Sequence, residues 1–396
     1  MLTAAPLPSP TEEEAAQVAH VSAALRAEIA SAGGWLPFSE FMATALYAPD
    51  LGYYVTPRPI FGADGDFVTA PELSPLFAAC VGQGLADLLA RTDGGDVVEF
   101  GAGSGRLAAD VFAVLLRRGT PVDRYRIVEP SPALAARQRE CLARSPATAD
   151  RMDRFEWLAA PPREPWHGVA FANEVVDALP VDRFRVRAGG CEAIGVIAAT
   201  AGFALAPRPA GAALAAAVDQ LQQRLPSPMQ EGFVSELRLG QREWLAAASA
   251  SLTRGALLFV DYGLPRAQYY HPSRDGGTLC AFRRHRRVED VLAQPGIQDL
   301  TAWVDFSALA DDGNACGLEL GGFATQAHYL LSAGIERELA GLVEAAGERE
   351  GRALRQSAAT LLLPGEMGER FKVMALTREI RGPFDGFGFR DLSASL

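Results

Sequence analysis

The stretch Val97-Val98-Glu99-Phe100-Gly101-Ala102-Gly103-Ser104-Gly105-Arg106-Leu107-Ala108-Ala109-Asp110 constrains this chain more than any other. It opens as an apolar run with β-branched residues, turns on three glycines at alternate positions, and leaves as an Ala/Leu-rich segment. That order predicts a strand, a glycine loop and a helix start, the arrangement that holds a nucleotide-type ligand at the carboxyl end of a parallel strand. A dinucleotide fingerprint needs its third glycine three residues after the second, where this chain has Arg106. Here the third glycine comes early, at Gly105, and an acid, Glu99, stands two residues before the first. Taken alone, the triplet is also compatible with a strand–helix turn that needs glycine only for packing.

A second strand-like run, Tyr125-Arg126-Ile127-Val128-Glu129-Pro130, follows one helix later and ends in an acid. In this fold class an acid at that position accepts hydrogen bonds from the two ribose hydroxyls. Glu99, the early third glycine and Glu129 together point to S-adenosyl-L-methionine (SAM), with S-adenosyl-L-homocysteine (SAH) as product. Gly101, Ala102, Gly103, Ser104 and Gly105 would form the cradle, and the free N–H groups of the next helix suit a carboxylate.

Further strands are expected at Phe155–Leu158, Val169–Asn173, Ala256–Asp261, Phe323–Gln326 and Phe371–Thr377, helices at Leu107–Arg118 and Pro132–Ala143. Seven strands alternating with helices imply an α/β, Rossmann-like fold: a seven-stranded, mostly parallel sheet covered on both faces. Ahead of it, residues 1–14 read as a disordered tail. Residues 15–91 read as a helical cap, with helices at 15–32, from Ser39 (the N-cap) to Tyr47, and from Leu76 to Leu89. Residues 92–396 form the main domain, with insertions at about 181–254 and 264–306 on the ligand side. An irregular stretch, Tyr53–Pro75, interrupts the cap. Its segment Gly65-Asp66-Phe67-Val68-Thr69-Ala70-Pro71-Glu72 combines acids, the Thr69 hydroxyl and a fixed proline. It reads as a lid over the cofactor or as a helix entry capped by Ser74.

The carboxyl end of Val169–Asn173 continues as Glu174-Val175-Val176-Asp177. The fourth strand of such a sheet ends beside the reacting group, so Asn173, Glu174 and Asp177 are the candidates for chemistry. The plain alternative has Asp177 capping a helix and Glu174 solvated.

Composition narrows the partners. The 396 residues carry a net charge of -11, which argues against a nucleic-acid backbone or an anionic membrane as main partner. Five scattered cysteines and five histidines without metal-ligand spacing predict free thiols and no metal site. The N-terminal run has neither a basic start nor an apolar core, and no segment is long and apolar enough to insert in a membrane, so a bacterial cytoplasmic location is expected. The run Arg283-Arg284-His285-Arg286-Arg287 reads as a solvated basic face or as an attachment point for an acidic partner.

From about Trp35 to Ala375 the chain resembles one family, the MidA-like SAM-dependent methyltransferases, homologues of a mitochondrial complex I assembly factor that methylates a protein arginine. The resemblance rests on Phe38, Phe41-Met42, Ala45-Leu46-Tyr47, Gly52-Tyr53-Tyr54, Gly65-Asp66-Phe67 with Thr69–Glu72, and Glu99–Gly105. It continues through Asn173-Glu174 with Asp177–Val181, Ser235-Glu236, Asp261-Tyr262-Gly263, Gly277-Thr278-Leu279 and Phe371-Lys372-Val373. It implies protein arginine N-methylation, with a complex I (NADH dehydrogenase) subunit or a similar protein as client. A guanidinium has a pKa about seven units above neutrality, so stripping its proton outright costs roughly 9 kcal/mol. Carboxylates that localise its charge away from one nitrogen lower that demand. Glu174 and Asp177 are expected as clamp and base, Asn173 as a contact to cofactor and substrate, Glu236 as a third acid, and Thr69, Glu99 and Glu129 as cofactor contacts. A small-molecule methyltransferase and a SAM-binding assembly chaperone are the competing readings. The oligomeric state stays open, a homodimer included.

Overall fold

A computed structural model describes residues 9–56, 60 and 69–396. The chain divides into two compact units. One comprises Thr69–Asp177, Gln241–Arg266 and Trp303–Leu396. The other joins the described part of the first 68 residues to Ala178–Gly240 and Ala267–Ala302.

The first unit is a sheet covered by helices. Its strands are β1 (Asp96–Phe100), β2 (Tyr125–Val128), β3 (Phe155–Leu158), β4 (Trp166–Asn173), β5 (Leu252–Leu264), β6 (Glu319–Thr325) and β7 (Phe371–Arg378). They lie in the order β6-β7-β5-β4-β1-β2-β3, and a two-residue strand, Val304–Asp305, runs beside the end of β5. β7 runs antiparallel to both neighbours and the other six strands share one direction. The order reverses between β1 and β4, which creates a crevice at their carboxyl ends.

The central strands are apolar on both faces because helices cover both. Val97, Val98, Ile127, Val169, Ala170, Leu257 and Leu258 are all buried. Each fully buried large aliphatic side chain contributes about 1.5–3 kcal/mol. Helix α1 (Pro75–Ala90) starts at Ser74, whose hydroxyl accepts the Leu76 N–H at 3.0 Å. Helix α2 (Arg106–Arg117) packs tightly on it, since a Cβ at Gly82 would lie 2.8 Å from Val114. Helix α3 (Pro132–Arg144) is capped by Ser131.

The second unit holds a five-stranded sheet built on Gly190–Ala199 and a three-stranded sheet of Cys280–Arg283, Arg286–Val288 and Asp299–Thr301. Helices Glu12–Ser31 and Phe38–Tyr47 pack Leu25, Ile29, Phe41 and Leu46 into its core.

Four details differ from the sequence expectation. The first helix begins at Glu12 rather than at 15, because Thr11 and Glu14 form a capping box; residues 1–8 of the expected tail lie outside the described residues. Ser39 lies inside its helix, and its hydroxyl donates to Asp182 at 2.7 Å instead of capping. The basic run is not uniformly solvated. Arg283 is fully buried against Glu14 at 2.7 Å, while Arg284 and His285 adopt positive φ at the hairpin turn. Helices Ala70–Leu73 and α1, read in sequence with the N-terminal cap, group with the large sheet.

Candidate active site

The crevice edge formed by β1 is mostly backbone. Gly101, Gly103 and Gly105 all take positive φ, at 63, 54 and 86°, a region that side chains rarely enter. Space adds a second demand at two of them. A Cβ on Gly101 would lie 3.1 Å from Val175, and one on Gly105 would lie 3.0 Å from the Gln138 backbone. Helix α2 starts directly after Gly105, so its free N–H groups face the loop. Ser104 donates its hydroxyl to Glu72 at 2.5 Å, which ties the loop to the short helix Ala70–Leu73. Thr69 is buried at the start of that helix. Gly65, Asp66, Phe67 and Val68 lie outside the described residues.

The two acids expected at the cofactor differ in setting. Glu129 is buried after β2. Its Oε1 accepts the Ser131 N–H and its Oε2 accepts the Gln138 side-chain N–H, both at 2.9 Å. A carboxylate has about four acceptor positions, so room for two hydroxyl donors remains. Burial raises the Glu129 pKa above the usual carboxylate value, opposed by these two donors. Gln138 also donates to the Gly103 carbonyl at 3.1 Å and accepts from the Trp157 indole at 3.1 Å. One side chain therefore fixes both the glycine loop and the acid. Glu99 lies inside the sheet unit instead. The Tyr125 hydroxyl donates to its Oε2 at 2.6 Å, and burial pushes its pKa up to about 8. Burial thus favours the protonated form of Glu99, against the Tyr125 hydroxyl that favours the charged one.

The end of β4 is built from side chains. Phe100 of β1 pairs with Ala172, so Asn173 emerges one step beyond that rung, as does Gly101. Glu174 has φ 53°, a left-handed backbone without glycine, and its N–H takes the Val260 carbonyl of β5 at 2.9 Å. Asn173 donates from Nδ2 to Glu174 Oε1 at 3.2 Å. Its own Oδ1 is buried with no hydrogen-bond partner among the described residues. A buried acceptor left unmatched costs roughly 1–3 kcal/mol, so a donor from a ligand is the natural complement. Asp177 is buried and its Oδ2 accepts the Tyr262 hydroxyl.

Glycines that a side chain would fill, an acid with spare acceptor capacity and the open acceptor of Asn173 fit a nucleoside-type cofactor carrying an amino-acid tail. Among the described residues no group of three His, Cys, Asp or Glu is arranged to hold a metal, and no helix is long and apolar enough to cross a membrane.

Glu236, the third expected acid, belongs to the other unit. It is fully buried, and its Oε1 accepts from the Tyr269 hydroxyl at 2.8 Å, the Thr278 N–H at 2.7 Å and the Thr278 hydroxyl at 2.8 Å. A Cβ on Gly277 would meet its Oε2 at 1.9 Å. In this setting Glu236 secures the Gly277-Thr278 turn.

Two features of the site have no role in the sequence reading. Gln138 gives no signal, being one polar residue on a helix. Asp261 and Tyr262 do carry one: an Asp-Tyr-Gly run at the end of a strongly apolar strand, next to β4.

Comparison with known proteins adds three findings. Residues 80–324 match the family model for S-adenosyl-L-methionine-dependent methyltransferases. A crystal structure from Burkholderia thailandensis, bound to S-adenosyl-homocysteine, is 41% identical, covers 99% of this chain and 100% of its own, and superposes with a TM-score of 0.91. The mitochondrial protein arginine methyltransferase NDUFAF7 of Homo sapiens is 29% identical over 375 residues, 87% of this chain and 80% of its own length. The Drosophila melanogaster homologue is 29% identical over 94% of this chain and 88% of its own.

Proposed function

This chain belongs to the S-adenosyl-L-methionine-dependent methyltransferases, and from that premise we propose that it methylates an arginine side chain of a protein, in the bacterial cytoplasm. The client we infer is a subunit of respiratory complex I or a protein like it. The observation that carries this reading is the acid loop at the end of β4: Asn173, Glu174 and Asp177 follow one another where β4 leaves the sheet beside the glycine loop. Relatives named protein arginine methyltransferases support it.

In this reading the backbone of Gly101–Gly105 and the Glu129 carboxylate hold SAM, which supplies a methyl group on a positively charged sulfur. Thr69 and Asn173 complete that set. Glu99 acts one layer back, as the neutral acid that keeps β1 and β2 in register through Tyr125. The guanidinium enters with its charge facing the carboxylates of Glu174 and Asp177. They draw positive charge toward two of its nitrogens, and the third is left with the electron density to attack. Asn173 Oδ1 accepts an N–H and fixes the line of approach. The proton released on transfer passes to Glu174. Glu236 contributes by holding the turn at Gly277-Thr278.

The test is incubation of the protein and radiolabelled SAM with an extract of cells that lack it, followed by separation of proteins from metabolites. A labelled protein that yields methylarginine on hydrolysis is the expected outcome. Label in a metabolite would replace this reading with a small-molecule methyltransferase. Binding without transfer would replace it with an assembly chaperone.

A further inference from the structure

The end of β5 makes a set of contacts that the reading above does not use. Asp261 is the next residue after the last β4–β5 rung, Asn173 opposite Val260. It is buried, yet its carboxylate is aimed at the acid loop. Its Oδ2 accepts the N–H groups of Val176 and Asp177 at 3.0 and 3.1 Å, and its Oδ1 accepts the N–H of Tyr262 at 2.9 Å. Two successive N–H groups converging on one oxygen form a small anion nest, and an ionised acceptor makes such bonds about twice as strong as neutral ones. The next side chain, Tyr262, donates its hydroxyl to Asp177 Oδ2. Its ring stands edge-on to Phe371 of β7, with centroids 5.5 Å apart. The carbonyl just before, Val260 O, holds the N–H of the strained Glu174.

Three consecutive residues of β5 thus grip three points of one loop: Glu174 by a carbonyl, Val176 and Asp177 by a carboxylate, and the Asp177 side chain by a phenol. We infer that Asp261 and Tyr262 are positioning residues for methyl transfer, Asp261 fixing the backbone of the acid loop and Tyr262 fixing the carboxylate of Asp177. The inference rests on the reading of that loop as the reacting end of the site. The chemistry of the grip is specific. Asp261 needs both oxygens as acceptors, so an amide in its place turns an N–H donor toward a backbone N–H. Tyr262 needs only its hydroxyl, since its ring packs on Phe371 without it.

Two variants separate the two parts of the device. Tyr262→Phe keeps the ring contact and the whole of the Asp261 nest. It is expected to retain the melting temperature, the affinity for SAH by titration calorimetry and the KM for the labelled client. Its kcat for methyl transfer is expected to fall about tenfold, since small misplacements of reacting groups are costly. Asp261→Asn is expected to lower kcat as well. In addition it accelerates hydrogen–deuterium exchange at the Val176 and Asp177 amides, which stay protected in Tyr262→Phe. Wild-type kcat in Tyr262→Phe overturns the role of Tyr262, and unchanged amide protection in Asp261→Asn overturns the role of Asp261. If the wild-type protein labels no protein at all, the arginine reading fails. Amide protection in Asp261→Asn, which needs no client, still decides whether Asp261 holds the loop, so the two failures are told apart.

Discussion

The ends of β1 and β4 lie side by side in the sheet, and both turn through left-handed backbone, but they do so by opposite means. At the end of β1 glycine takes every such position: Gly101, Gly103 and Gly105. At the end of β4 the residue at positive φ is Glu174, which pays for that conformation with strain of about 1–3 kcal/mol. The first end presents backbone and is steadied from outside by Gln138 and Glu72. The second presents two carboxylates and an amide, and β5 holds it in place through Val260, Asp261 and Tyr262. The difference teaches how one crevice divides its labour. A ligand of constant shape is met by a smooth cradle, whereas a proton-bearing substrate requires side chains whose positions must be enforced.

The largest expected effect breaks the second end alone. Glu174→Gln or Asp177→Asn should lower methyl transfer by about a hundredfold or more, the usual worth of a positioned acid–base group. Transfer of label into the client, measured under saturating SAM, checks it. A smaller effect breaks the first end alone: Gly105→Ala adds a Cβ 3.0 Å from the Gln138 backbone at φ 86°. It should weaken SAH binding by about tenfold, or roughly 1.4 kcal/mol, through distortion of the cradle. Calorimetric titration reads that shift.

Glu174→Gly sharpens the contrast from the side of strain. It should abolish transfer yet leave the protein as stable or about 1 kcal/mol more stable, because the relieved backbone strain exceeds the extra entropy of an unfolded glycine. Thermal unfolding should then show a melting temperature unchanged or raised by about 2 °C or less while methyl transfer is lost. A clear fall in melting temperature would mean that the side chain of Glu174 stabilises the fold.

The smallest effect concerns β1 itself. Glu99 has a pKa of about 8 in the folded chain against an ordinary 4.5. The folded state therefore keeps a proton that the unfolded state releases. Its contribution to stability is fully present below about pH 4.5 and is lost as pH rises toward 8. Asp305, pushed up to about 6 by burial, adds to the same slope at its lower end. Glu99→Gln stays neutral throughout, so its melting temperature should decline less between pH 5 and pH 8 than that of the wild type. Parallel curves would remove Glu99 as the source of the slope.

The sheet was largely legible in the sequence because most of its strands are short apolar runs set off by helices or turns. Phe155–Leu158 coincides with β3 to the residue, and β1, β2 and β7 begin or end within one residue of their expected bounds. β5 runs well beyond Ala256–Asp261, since Leu252–Gly255 and Tyr262–Leu264 extend it with residues that carry little apolar signal. The three-stranded sheet within 264–306 was not legible: its strands are three or four residues long, and two of them carry arginine. Arg283 turned inward because Glu14, far away in sequence, neutralises it. The residues of the candidate site were visible as types at strand ends. Their division of roles was not, because it depends on partners from other strands. Glu99 and Glu129 look alike in sequence, yet Tyr125 encloses the first while Gln138 and the Ser131 N–H frame the second. Likewise, nothing local to Asp261 reveals that its carboxylate reaches back to Val176 and Asp177.

The most direct test of the division between the two ends is one SAH titration run on Gly101→Val and Glu174→Gln beside the wild type. The account predicts that Glu174→Gln binds SAH like the wild type and that Gly101→Val binds at least about tenfold more weakly. Equal loss of affinity in both variants would contradict it.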